Sequence, residues 1–139
     1  MISTKGRYAL RVVIDIAENE NGAPVRLSDV AARQEISFKY LELIIPSLTK
    51  AGIVSSTHGK GGGYCLSKSA AELTVGEVVR SAEGDLAPVA CLKCDAVPCG
   101  RANICKTLGV WQEYYRLTNE YFDGITIKDV IDGNIGFKK

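Results

Sequence analysis

Four cysteines, Cys91, Cys94, Cys99 and Cys105, fall within fifteen residues of a 139-residue chain, and the fifth, Cys65, stands apart. Thiolates bind soft and borderline metals, and four of them complete a tetrahedral zinc site or hold an iron–sulfur cluster. The pattern is Cys91-x2-Cys94-x4-Cys99-x5-Cys105. Pro98 and Gly100 flank Cys99 and let the loop fold tightly round a metal, and Lys93, Arg101 and Lys106 favour the thiolate forms. In a reducing compartment, clustered cysteines mean metal or redox chemistry more often than disulfides. Spacing alone does not separate zinc from iron–sulfur, and scattered structural cysteines are the third alternative. Cys65 reads as a small apolar filler without a ligand role.

A second group of residues could touch nucleic acid. Ser37, Lys39, Tyr40 and Glu42 open a helical stretch, where a recognition helix would present its first turns to base edges. Lys39 can meet a phosphate or a guanine edge, and Glu42 can accept from a cytosine amino group. His58-Gly59-Lys60 lies in a glycine-rich tip, where glycines permit close approach and Lys60 and His58 bring positive charge to a DNA backbone. Both groups also admit a plainer reading, a solvated helix face and a tight turn. Gly59-Lys60-Gly61-Gly62-Gly63 lacks the spacing of a nucleotide-binding loop and leads into a strand. His58 is the only histidine, and no nucleophile–base pair stands out, which speaks against an enzyme.

These residues need elements to position them. Ser3 or Thr4 caps a first helix to about Glu20, with Ala9, Leu10, Val13, Ile16 and Ala17 at helical spacing. A short second helix covers Ser28 to Gln34 and a third, capped by Ser37, runs from Phe38 to about Lys50, ended by Gly52 as a left-handed cap. Pro46 inside it should kink it. Strands at Ile53–Ser56 and Gly63–Leu66 frame the glycine tip as a hairpin. Three helices and a hairpin, in that order, give a mainly α winged helix-turn-helix. Thr74-Val75-Gly76-Glu77 is a capping box for a fourth helix to about Ala82. The expected organisation is a DNA-binding domain over 1–82, a cysteine-rich loop over 83–101, and a long dimerisation helix with its tail over 102–139. In that helix Ile104, Leu108, Trp111 and Tyr115 form an apolar stripe that needs a partner subunit to cover it. A last helical turn is expected over Thr126–Ile131, and the tail from Gly133 to Lys139 should fray.

Composition agrees with a globular domain: 46% of residues are hydrophobic and 24% charged, for a net charge of +1. Residues 1–68 hold nine Lys/Arg against six Asp/Glu, and residues 69–139 eight against ten, so the positive excess lies in the half that would meet DNA. No apolar run is long enough for a membrane span, and the N-terminus lacks a signal-peptide core, so a cytoplasmic protein is expected.

With this order in view, the chain resembles the Rrf-type winged-helix regulators over about residues 1–131. The resemblance is carried by Ser3-Thr4-Lys5-Gly6-Arg7-Tyr8-Ala9-Leu10, Ile36-Ser37-x-x-Tyr40-Leu41-Glu42, Leu48-x-x-Ala51-Gly52-Ile53-Val54, Gly59-x-Gly61-Gly62-Gly63-Tyr64-x-Leu66 and Gly76-Glu77-Val78-Val79. It implies a homodimer joined through the long C-terminal helix, a palindromic double-stranded DNA target, and a cluster, most often 2Fe–2S, on three cysteines. Counted from Gly76-Glu77, those three are Cys91, Cys99 and Cys105, and Cys94 is additional. It also implies control of iron–sulfur assembly or iron homeostasis genes, with a zinc- or thiol-sensing regulator of the same fold as the alternative. Leu108 stands where the closest regulators place a histidine ligand, and Arg7 where some nitric-oxide-sensing relatives place an aspartate. The fourth ligand is open between Cys94 and a group on the partner's first helix. His58 replaces the usual wing arginine.

Overall fold

A computed structural model describes residues 1–136. Its order is α1 (Thr4–Asn19), α2 (Leu27–Gln34), α3 (Phe38–Lys50), β1 (Val54–Thr57), β2 (Gly63–Leu66), α4 (Val75–Glu83), α5 (Leu108–Asp123) and α6 (Ile127–Ile131). The mainly α winged-helix architecture expected from the sequence is the architecture found.

Each early helix buries one face against the same core. Ala9, Val12, Val13 and Ile16 of α1 meet Val30 of α2, Leu41, Ile44 and Leu48 of α3, and Val78 and Val79 of α4. Leu73 and Ile127 close that core from below, both fully buried. Burying a side chain of this size stabilises by roughly 1.5–3 kcal/mol. Asp15 is the one buried charge among the described residues. Arg33 pairs with it at 2.8 Å, and Gln34 Nε2 donates to it at 2.9 Å. Arg11 in turn donates to the Gln34 carbonyl, so α1 grips α2 at both charge and backbone.

The capping signals act as read. Ser3 accepts from the Gly6 N–H, Ser37 from the Tyr40 N–H, and the Thr74–Glu77 capping box is complete. Gly52 has φ 73°, the left-handed cap expected after α3. Pro46 lies inside α3 on its exposed side, where the Glu42 carbonyl loses its N–H partner yet the helix continues to Lys50. The turn between α2 and α3 is made by Glu35 at φ 53°, a left-handed conformation that asparagine or glycine adopts more cheaply.

The hairpin pairs Val54 with Leu66 through to Thr57 with Gly63, antiparallel. Val25 adds a bridge on Tyr64, its N–H and carbonyl both bonded there at 2.8 Å. That third edge explains Gly63: a Cβ there would strike the Val25 carbonyl. The wing is thereby tied to the loop before α2, and only its tip stands free.

The long helix departs from expectation. It starts at Leu108, not near Ala102, and residues 101–107 are successive turns. Ala102 and Ile104 donate back three residues, to Cys99 and Arg101, in tight turns rather than helical ladders. Residues 101–104 are exposed, so no buried face supports a helix there. Ile104 therefore sits off the helix, 63% exposed, and is not part of a continuous stripe with Leu108. Gly133–Gly136 lies exposed without regular structure, and the rest of the expected frayed tail, 137–139, lies outside the described residues.

Candidate functional site

The first candidate surface is the exposed side of α3 with the wing. Lys39 and Glu42 are exposed on the outer side of α3, and Ser37 caps its start at 3.1 Å. Tyr40 is different. It is half-buried and packs edge-on against Tyr8 of α1, ring centroids 5.5 Å apart, while the Arg11 guanidinium lies 5.0 Å over the Tyr8 ring. Tyr40 thus belongs partly to the joint between α1 and α3. Leu43, next along the helix after Glu42, stands 64% exposed, and Phe38 at the start of α3 stands 48% exposed, so this surface carries apolar as well as charged side chains. His58, Gly59 and Lys60 are all exposed at the wing tip, where Gly59 and Gly61 take φ of 93° and 79°.

The second candidate is the cysteine segment between α4 and α5. Cys91 sits in a single 3-10 turn over Ala90–Leu92. Cys91, Cys99 and Cys105 line one small cavity of about 170 Å³, walled by Leu92, Pro98, Ala102, Leu108 and Gln112. No three Cys, His, Asp or Glu side chains among the described residues stand close enough together to form a ready metal cage. The three thiols line one pocket with otherwise mostly apolar walls, and by donor chemistry such a set suits a soft metal or a cluster once the exposed loop draws them together.

The remaining thiol is held elsewhere. Cys94 gives its N–H to Asp85 Oδ2 at 3.0 Å, and the same carboxylate pushes its thiol pKa up by hydrogen bonding and charge. Cys105 is the opposite case. A hydrogen bond with the Thr107 hydroxyl, 3.4 Å from its sulfur, and the Thr107 N–H pull its pKa down, towards the ligating thiolate.

Asp85 is the hub of this region. It accepts from the Tyr115 hydroxyl at 2.9 Å and the Ala87 N–H at 2.7 Å as well as from Cys94. Burial works against its charge, but these hydrogen bonds outweigh it and hold the carboxyl at about 2. Two residues earlier, Glu83 accepts both the N–H and the hydroxyl of Ser3, and Gly6 leaves room for that carboxylate. The start of α1, the end of α4, the cysteine segment and α5 are therefore linked by consecutive polar contacts. No sequence motif marks Asp85, whose role depends on where Tyr115 lands.

Tyr115 consequently turns towards its own chain. Leu108 is half-buried at the cysteine cavity. Trp111 remains 39% exposed, and Val110, Tyr114 and Leu117 at 60%, 56% and 40% extend an apolar outer face that the sequence reading placed elsewhere. No residue of α5 is buried. No helix among the described residues is long and apolar enough to cross a membrane.

Comparison with known proteins agrees with this geometry. The Rrf2 family, described as iron-dependent transcriptional regulators, matches residues 2–133. The transcriptional regulator IscR of Escherichia coli is 34% identical over 131 residues, covering 94% of this chain and 80% of its own length. Two solved structures superpose over 96% of the chain at 32% identity. CymR, the global cysteine regulator of B. subtilis, does so with a TM-score of 0.77 over 97% of its length, and the T. potens IscR with 0.75 over 88%. A winged helix followed by a cysteine segment and a helix with an exposed apolar face fits a regulator rather than an enzyme, and the chain belongs to the Rrf2 family of DNA-binding transcriptional regulators.

Proposed function

We propose that this chain is a cytoplasmic, cluster-sensing transcription regulator that binds a palindromic duplex as a homodimer and controls iron–sulfur assembly or iron homeostasis genes. The observation that carries the proposal is the convergence of Cys91, Cys99 and Cys105 on one cavity at the foot of α5. These three thiols would hold a 2Fe–2S cluster, and Cys105 is already biased towards the thiolate. When bound, such a cluster supplies an iron- and oxidant-sensitive group whose loss can be read by the protein.

The chain's own residues carry that reading to DNA. Closing of residues 91–105 round the thiols draws on Leu108 at the first turn of α5 and on the Asp85–Tyr115 contact at its second. The outer face of α5, centred on Trp111, docks on the partner subunit. A shift of α5 then changes the separation of the two α3 helices, which must match half-sites about one helical turn of DNA apart. Lys39 and Glu42 face the major groove, Ser37 and Tyr40 fix the helix entry, and His58, Gly59 and Lys60 bring the wing to the backbone.

A second reading is a zinc- or thiol-sensing regulator of the same fold without a cluster. The structural likeness to CymR and the exposure of Cys91, Cys94 and Cys99 favour it. Anaerobic purification followed by visible absorption and iron, sulfide and zinc assays separates the two. Broad visible absorption with equal iron and sulfide is expected. A colourless protein carrying zinc, or no metal, assigns the second reading.

A further inference from the structure

The three shared thiols leave a cluster one protein ligand short, and the cavity itself contains a candidate that the sequence pattern hides. Its lining has four donor-bearing side chains, the three cysteines and Gln112; the others are apolar. Gln112 follows Leu108 by one helical turn, so the two project from the same side of α5. Leu108 has no atom to offer a metal, which leaves the amide one turn along as the group on α5 that can reach the same space. Cys94 is the rival, but its N–H is held by Asp85 and it does not line the cavity. Recruiting it would draw the residue away from a carboxylate that also orders Tyr115 and Ala87.

Resting on the cluster reading above, we propose that the amide oxygen of Gln112 is the fourth protein ligand of the cluster. A neutral oxygen in place of a fourth thiolate leaves the site one negative charge lighter, so reduction is easier than at an all-cysteine site. An amide is also a weak donor, which suits a site whose cluster must be lost under iron shortage. Its place on α5 means that gaining or losing this ligand acts directly on the helix that carries Trp111.

The test uses the full chain, reconstituted anaerobically with ferrous iron and sulfide, alongside Gln112→Leu, Gln112→His and Cys94→Ser. Gln112 is exposed and outside the core, so these variants keep the fold. Gln112→Leu should shorten the half-life of the visible absorption against an iron chelator by about tenfold or more. Gln112→His should show a directly bonded nitrogen coupling in pulsed paramagnetic resonance of the reduced cluster, and Cys94→Ser should match the wild type. A wild-type half-life in Gln112→Leu, with no nitrogen coupling in Gln112→His, overturns the assignment. A changed spectrum in Cys94→Ser then names Cys94, and an unchanged one points to the partner's first helix. A wild-type chain that takes up no iron and sulfide overturns the cluster reading itself, and the ligand assignment with it.

Discussion

The winged-helix region and the cysteine segment with α5 are built on opposite terms. Helices α1 to α4 each contribute buried apolar side chains to one core, among them Ile16, Val30, Leu48 and Val78 at 0% exposure. Helix α5, although as long as α1, buries no residue, and the segment before it keeps three of its four cysteines exposed. The first region is held by its own packing. The second is held by partial packing of Tyr115, Tyr121 and Phe122 on that core and by polar contacts from Asp85 and Arg80, and a ligand that binds its ordered form would stabilise it by mass action. Under the proposed function, that division would separate a rigid reader from a segment whose state a ligand can change.

Two substitutions break the comparison most strongly. Leu48→Ala removes a fully buried side chain and should cost about 2–5 kcal/mol in chemical denaturation. Trp111→Asp should leave the unfolding of the winged-helix core nearly unchanged, yet give monomers by light scattering and abolish binding to a full palindrome. A Trp111→Asp protein that stays dimeric places the subunit contact away from α5.

Within the reader, base and phosphate contacts should separate. Glu42→Ala is expected to relax preference at one base pair, at a cost of roughly 1–3 kcal/mol there. Lys60→Ala should weaken all sequences alike and lower the salt slope of the dimer by about two, one for each wing. A Lys60→Ala protein with an unchanged slope would remove the wing tip from the interface. Tyr40 is the less clean probe, because its ring also packs on Tyr8.

The sequence pattern located the elements of the winged helix well and those of the cysteine segment and α5 only in part. Helical spacing, the caps at Ser3, Ser37 and Thr74, and Gly52 are local signals, and their elements lie where those signals put them. The start of α5 was not legible, because residues 101–107 have helical composition but no surface to pack against. The inward turn of Tyr115 was hidden for a related reason: it answers Asp85, thirty residues away, and leaves Val110, Tyr114 and Leu117 on the outer face instead.

A smaller effect tests the polar anchoring of the sensor. The Asp85 carboxyl is held below its unfolded value, so its contribution is complete above about pH 4 and is lost as pH falls through about 2. In the metal-free protein, the fluorescence of Trp111, the only tryptophan, should report a loosening of this region across that interval. Asp85→Asn should show the loosened signal already at neutral pH, with no acid step of its own. An acid step retained in Asp85→Asn assigns the change to other carboxylates.

The central claim is that the cysteine segment controls what the winged helix binds. Its most direct measurement is the affinity for a palindromic duplex of one anaerobic preparation, before and after its iron is removed by chelation, with Cys91→Ser, Cys99→Ser and Cys105→Ser treated alike. Chelation should change wild-type affinity or sequence preference by about tenfold or more, an ordinary allosteric coupling, and each serine variant should behave as chelated wild type throughout. Equal affinity and preference with and without iron, matched by all three variants, would contradict it.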